Sequence, residues 1–354
     1  MKYYIALLML IIGFISTSAN AEKKLSFSGA DVINVSNNWS LPEERMHLGF
    51  SGMTLGPKGE IFLLFRAAWA HGVTWDEKGG DLYVSRSLDE GVTWSQPTIF
   101  ATAEYKHDLR DISISYDYAQ GVYYVTYVDH DLVSNTLALK ILKGADPLTN
   151  KNWVDVYPES NMLFNKFMAT YHPVVRRGPQ LFLPVYGYNE GESKVDGQPP
   201  FQQAILSANG LGQKWSVLSK FNNLTYNEST LYFSLANNLD RWFLISRPGL
   251  LRWSDDNGQS WTKPIQMPFN VSGGPRVFDM GAFNMLIARD DSLKNSPIYA
   301  SFSEDGTNWS KRVQVAASGH GYASTVTTFS GKKLLLLGQE YGRKSNLILI
   351  RLIE

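Results

Sequence analysis

Polar side chains able to hold an anion or move a proton recur where apolar, strand-like runs begin. They are Arg110 and Asp111, Tyr171 and His172, Asn227 and Glu228, Arg276, and His320 and Tyr322. Carboxylates, imidazoles and phenols exchange protons with a reacting group, and an arginine fork matches the two oxygens of a carboxylate. One such residue alone would pass as a turn or rim residue, but the recurrence along the chain argues for a shared placement. There is no cysteine and no His-x-x-x-His spacing. Neither thiol chemistry, a catalytic metal nor any other cofactor is therefore expected.

The elements that must position these residues form a repeat. An apolar strand, a short turn and a second apolar strand occur at Ser51–Leu55 with Ile61–Phe65 and return from Asp111 to Tyr127. Further copies run from His172 to Tyr186, Glu228 to Ser246, Arg276 to Ala288 and Ala323 to Leu337. The units begin near 51, 110, 171, 228, 275 and 322, a spacing that suits four-stranded blades. Six units predict an all-β fold, a six-bladed β-propeller. Residues 25–35 are expected to supply an outer strand beside Leu347–Leu352 and so close the ring. In such a fold the starts of the innermost strands converge at one mouth, however far apart they lie in sequence.

A second repeat marks the turns. Ser87-Leu88-Asp89-Glu90-Gly91-Val92-Thr93-Trp94, Ser254-Asp255-Asp256-Asn257-Gly258-Gln259-Ser260-Trp261 and the one-residue-shorter Ser303-Glu304-Asp305-Gly306-Thr307-Asn308-Trp309 resemble one another, and Ser207 to Trp215 is a degenerate copy. Asp accepts hydrogen bonds from its own turn, Gly takes a positive φ and Trp packs beneath. No catalysis is assigned to Asp89, Asp256 or Asp305.

The N-terminus has a basic start, an apolar run from Ile5 to Ile15 and an Ala19-Asn20-Ala21 ending. These are the parts of a secretory signal peptide. The expected organisation is a signal peptide at 1–21, cleaved near Ala21, and a single domain at 22–354, secreted to a periplasmic or extracellular location. The 33 basic and 33 acidic residues balance, which argues against a nucleic-acid partner. No later run reaches membrane-spanning length, and a monomer is expected. Aromatic residues make up 13% of the chain, which suits a β-rich fold or a carbohydrate site.

The Ser-x-Asp-x-Gly turns resemble the Asp-box, or bacterial neuraminidase repeat, of sialidases and their relatives, and the resemblance extends to individual residues. Gly321-Tyr322-Ala323-Ser324 is similar to the segment carrying the tyrosine nucleophile. Asn227-Glu228-Ser229 is similar to that of the glutamate activating it. Arg247, nineteen residues after Glu228, and Arg289, thirty-three before Tyr322, match two of three arginines that clamp the substrate carboxylate. Glu340 resembles the glutamate that steadies the third. The general acid belongs on the loop after the second strand, where Asp76 fits better than Asp81.

The resemblance implies a retaining exo-glycosidase, an exo-α-sialidase or close relative, acting on a terminal acidic sugar of a glycan. A neutral tyrosine can approach an anomeric carbon whose neighbouring carboxylate repels an anionic nucleophile. Glu228 would take its proton. Asp76 would protonate the leaving oxygen and then activate water.

One departure stands out. The family opens its first inner strand with Arg-Ile-Pro, whereas this chain has His47-Leu48-Gly49-Phe50-Ser51-Gly52. Arg66 and Arg110 are the candidates to replace the missing cation, and Asp111, His172 and Arg276 are further candidates for substrate binding. Related propellers acting on uronic-acid polysaccharides as lyases or hydrolases use His, Tyr and Arg, so His172 or His320 with Tyr322 and Arg247 is the alternative arrangement. A non-catalytic carbohydrate-binding propeller is the third.

Overall fold

The computed structural model describes residues 32–71, 78–149, 152–195, 197–222, 227–234, 240–317, 321–341 and 344–352. The described chain is nearly all β, with two short 3-10 turns at Glu43–Arg45 and Glu159–Asn161. Among the described residues no helix is long and apolar enough to cross a membrane. The expected signal peptide at 1–21 lies outside the described residues.

The strands are antiparallel meanders. His47–Leu55, Ile61–Ala68, Asp81–Ser87 and Thr98–Ala101 pair in chain order, as do Ser229–Ser234 through Ile265–Gln266 and Ser272–Asp279 through Val313–Ala316. The last sheet sets Gly321–Thr327, Lys333–Tyr341 and Lys344–Leu352 beside Val32–Asn34 from the far end of the chain, with Ile33 opposite Leu349.

The second and third meanders form one nine-stranded sheet rather than two separate ones. The reason lies at the start of the third. Its leading strand is broken into Phe167–Ala169 and Val175–Arg177, both pairing with Gln180–Tyr188. Phe167 also pairs in parallel with Leu137 of the preceding meander, which joins the two.

The apolar runs are continuous because both faces of each middle strand are buried. Leu63 and Phe65 pack against Leu336 and Leu349 of the last sheet, while Phe62 and Leu64 on the same strand pack against Ile112 and Val125 of the second meander. The scheme continues with Ile141 against Leu183, Phe182 against Trp242, Ile245 against Leu286 and Met285 against Leu335. The leading strands lie side by side: His47–Leu55 contacts both His107–Asp117 and Gly321–Thr327, and Ser272–Asp279 contacts Gly321–Thr327 and Ser229–Ser234.

The Ser-x-Asp-x-Gly turns make the bonds their residue types allow. Asp89 Oδ1 accepts from Ser87 Oγ and Thr93 N at 2.8 Å each, the Gly91 amide donates to Ser87 Oγ, and Trp94 Nε1 donates to Gly91 O. Asp256 and Asp305 repeat the scheme with Ser254, Ser260 and Trp261, and with Ser303, Asn308 and Trp309. The turns also tie neighbouring sheets together: a Cβ on Gly91 would lie 2.6 Å from Leu349, and one on Gly306 would lie 2.5 Å from Phe243.

Candidate active site

Four leading strands carry the same irregularity near their starts. The pairing register shifts between Gly49 and Gly52, Arg110 and Ser113, Ser272 and Arg276, and Gly321 and Ser324. Within these bulges Phe50, Asp111 and Tyr322 hold φ of +47°, +53° and +49°. A left-handed backbone costs an ordinary side chain roughly 1–2 kcal/mol, and such strain collects where a side chain must be aimed. In the bulge before Arg276 the corresponding residues are Gly273 and Gly274, at φ +54° and +62°. A Cβ on Gly274 would sit 2.5 Å from the Tyr322 ring, so its absence leaves room for that ring.

Tyr322 Oη donates to Glu228 Oε1 at 2.5 Å. Glu228 is buried, and its other oxygen accepts from the Gly274 amide at 2.9 Å. Burial first, then the charges of Glu228 and Asp111, push the Tyr322 phenol well above its ordinary value. The phenol is therefore neutral at physiological pH, with a carboxylate in place to take its proton. Tyr171 meets the Tyr322 ring edge-on at 5.6 Å and donates to Pro275 O.

Asp108 joins two of the arginines. Its Oδ1 accepts from Arg66 Nε and Nη2 at 3.0 and 2.8 Å, and its Oδ2 from Arg110 Nε and Nη2 at 3.1 and 2.7 Å. Burial alone would raise the Asp108 carboxyl, but Arg66 and Arg110 outweigh it and hold the group below its ordinary range. Asp111, next to Arg110, is raised to about 7, by burial first and then by Glu228 and Asp108 against the pull of Arg110 and Arg66.

Arg247 lies 3.5 Å from Glu228 Oε2 and 3.2 Å from Asp291 Oδ2. Arg289 meets the same Asp291 through Nε at 2.5 Å and Nη2 at 3.1 Å. Phe50 lies in the His47–Gly52 stretch, which has no arginine. Its ring is 4.9 Å from that of Tyr322, with the Arg66 and Arg110 guanidiniums 5.8 and 5.9 Å away.

The structure thus brings Tyr322, Glu228, Asp111, Arg110, Arg247 and Arg289 into one neighbourhood. Arg66 belongs to it only indirectly, because it is fully buried and bonded to Asp108. Arg276 lies further along its strand, donating to Ala323 O at 3.2 Å and Ser113 Oγ at 3.3 Å, and burial lowers it to about 10. It and His172 line a cavity of about 1100 Å³ with Leu231, Val277 and Phe278.

His172 is buried with its ring nitrogens facing Pro173 O at 2.8 Å and Leu231 O at 3.0 Å. Burial and then the Arg276 charge push it down to about 3, so the ring is neutral and donates to only one of the two carbonyls. Asp81 is likewise committed, to Arg45 and the Ala103 amide. Asp76, His320 and the side chain of Glu340 lie outside the described residues. The sequence does not announce that Phe50 meets Tyr322 or that Asp108 joins two arginines. The signals present are Gly49 and Gly52 on either side of Phe50-Ser51 and the Asp-x-x-Asp spacing of 108 and 111.

The fold is similar to those of several solved structures, sialidases among them. A solved protein of unknown function from Dyadobacter fermentans superposes with a TM-score of 0.71 at 16% identity, covering 91% of this chain and 99% of its own. A Hadza microbial sialidase gives 0.64 at 13% identity, covering 87% of this chain and 66% of its own. Trypanosoma rangeli sialidase, in complex with difluorosialic acid as a covalent intermediate, gives 0.67 at 12% identity, covering 92% of this chain and 59% of its own. The chain thus spans about three fifths to two thirds of the two sialidases' length. No protein-family model matches the sequence, and no curated protein matches it.

Proposed function

We propose that the chain is a secreted, retaining exo-glycosidase built as a six-bladed β-propeller with Asp-box turns, acting on a terminal acidic sugar such as sialic acid. The observation that carries the reading is the 2.5 Å hydrogen bond from Tyr322 to Glu228, with Arg247, Arg289 and Arg110 around it. The propeller reading rests on six cores, each lying between successive meanders, the last of which packs back on the first. Removal of a signal peptide near Ala21, a single domain over 22–354 and a monomeric state complete the proposal.

In the first half-reaction Tyr322 Oη attacks the anomeric carbon while its proton passes to Glu228. The glycosidic C–O bond breaks, and the leaving oxygen takes a proton from a carboxylic acid, the role assigned to Asp76. In the second half a water gives its proton to that same carboxylate and displaces the tyrosine, which recovers its proton from Glu228. Two inversions leave the configuration retained. The arginines hold the sugar's acid group through paired charge-assisted hydrogen bonds.

The alternative is a uronic-acid lyase using a histidine with Tyr322 and Arg247; His172, buried against Pro173 O and Leu231 O, favours it less than the Tyr322–Glu228 pair favours the hydrolase. The test is turnover of methylumbelliferyl α-sialoside by residues 22–354, with Tyr322→Phe as the control. Tyr322-dependent release supports the reading. A folded protein that releases nothing from sialosides or other acidic glycosides overturns it.

A further inference from the structure

The two arginines that match the sialidase clamp are already bridged by a carboxylate of the chain itself. We infer that Asp291 is an internal competitor for the substrate's acid group, and that it weakens the site's hold on carboxylate-bearing sugars. The inference rests on the glycosidase reading and names a specificity-determining residue within it.

Asp291 sets one oxygen 2.5 Å from Arg289 Nε and the other 3.1 Å from Arg289 Nη2 and 3.2 Å from Arg247 Nη2. A guanidinium facing both oxygens of a carboxylate, with one hydrogen bond through Nη2 and a second guanidinium on the same group, occupies the place a bound sugar acid would take. The residue before Asp291 is anchored. Asp290 accepts from Asn270 Nδ2 at 3.0 Å, Ser292 N at 3.0 Å and Ser292 Oγ at 2.5 Å, and it pairs with Arg312. Its own amide donates to Pro297 O at 3.0 Å. Asp291 thus begins a surface turn beside an anchored residue, with a side chain 28% exposed.

Charge adds to the effect. Glu228 lies 3.5 Å from Arg247, so two guanidiniums already meet two carboxylates. The stretch His47–Gly52 adds no arginine, and the nearby Arg110 is already paired with Asp108. An incoming carboxylate gains only the difference between its own bonds and those of the Asp291 it displaces. An uncharged ligand has no such exchange to make.

The experiment is calorimetric titration of wild type and Asp291→Asn with sialic acid and, in parallel, with its uncharged methyl ester. Asparagine keeps the size and hydrogen-bonding reach but removes the charge. The expected result is a gain of about tenfold for the acid, the scale of a charge-assisted pair, with the ester unchanged within about twofold and the melting temperature preserved. An equal gain for both ligands, no gain, or no binding of the acid by either protein overturns the inference. The glycosidase reading is judged separately, by Tyr322-dependent turnover of glycosides in the wild type.

Discussion

Tyr322 and Glu228 are 94 residues apart in the chain, yet the phenol donates to the carboxylate at 2.5 Å. The left-handed bulge at Tyr322 and the side-chain-free Gly274 together let the ring reach that oxygen. A phenol raised well above its ordinary value is not a free phenolate at physiological pH. In the proposed mechanism the carboxylate beside it takes the phenol's proton.

Tyr322→Phe removes the attacking oxygen but keeps the ring contacts with Phe50 and Tyr171. The turnover number should fall about a thousandfold or more with little change in melting temperature. Glu228→Gln should fall comparably, since the phenol proton loses its acceptor. Steady-state kinetics on a methylumbelliferyl glycoside reads both, and an active Tyr322→Phe enzyme would remove the tyrosine from the mechanism.

Asp111 sets a pH dependence of stability. Its carboxyl goes from 3.8 when unfolded to about 7 when folded. Between those values the folded protein holds a proton that the unfolded chain has released, so this group's contribution to stability falls as pH rises from 4 to 7 and then levels off. Asp111→Asn removes the penalty and keeps a side chain that tolerates the left-handed backbone. It should stabilise the protein by on the order of 2 kcal/mol at pH 8 and change little at pH 4. Denaturant unfolding at the two pH values checks this.

Gly274→Ala places a methyl group against the Tyr322 ring at φ +62°. Backbone strain and the forced shift should together cost about 2 kcal/mol. Activity should drop further than that loss implies, because the phenol moves off Glu228. Thermal melts alongside kinetics distinguish the two effects, and a variant with wild-type turnover would show that Gly274 does not position the ring.

Asp108→Asn leaves the fully buried Arg66 without its counter-charge. Removing one partner of a buried ion pair typically costs about 3–5 kcal/mol. A destabilisation of that order is expected in chemical unfolding. Arg110→Ala, on the more exposed side of the same carboxylate, should cost clearly less.

The sequence by itself determined the strands, the turns and the residue types at the site. Runs such as Ile61-Phe62-Leu63-Leu64-Phe65 are apolar throughout because each strand packs on two neighbours, and that pattern is visible without coordinates. The Ser-x-Asp-x-Gly turns are equally legible, since their bonds close within a few residues. Tyr322, Glu228, Arg247 and Arg289 were legible through spacing and resemblance. Only the tertiary structure decided which polar groups meet. Arg66 and Arg110 converge on Asp108, Arg247 and Arg289 on Asp291, and His172 faces two carbonyls. It also merged the second and third meanders through Phe167, which no local pattern announces. The physical reason is one of range. Apolar periodicity and turn chemistry act between near neighbours, whereas ion pairing at the site depends on how separate strands are placed against one another, and on bulges that redirect single side chains.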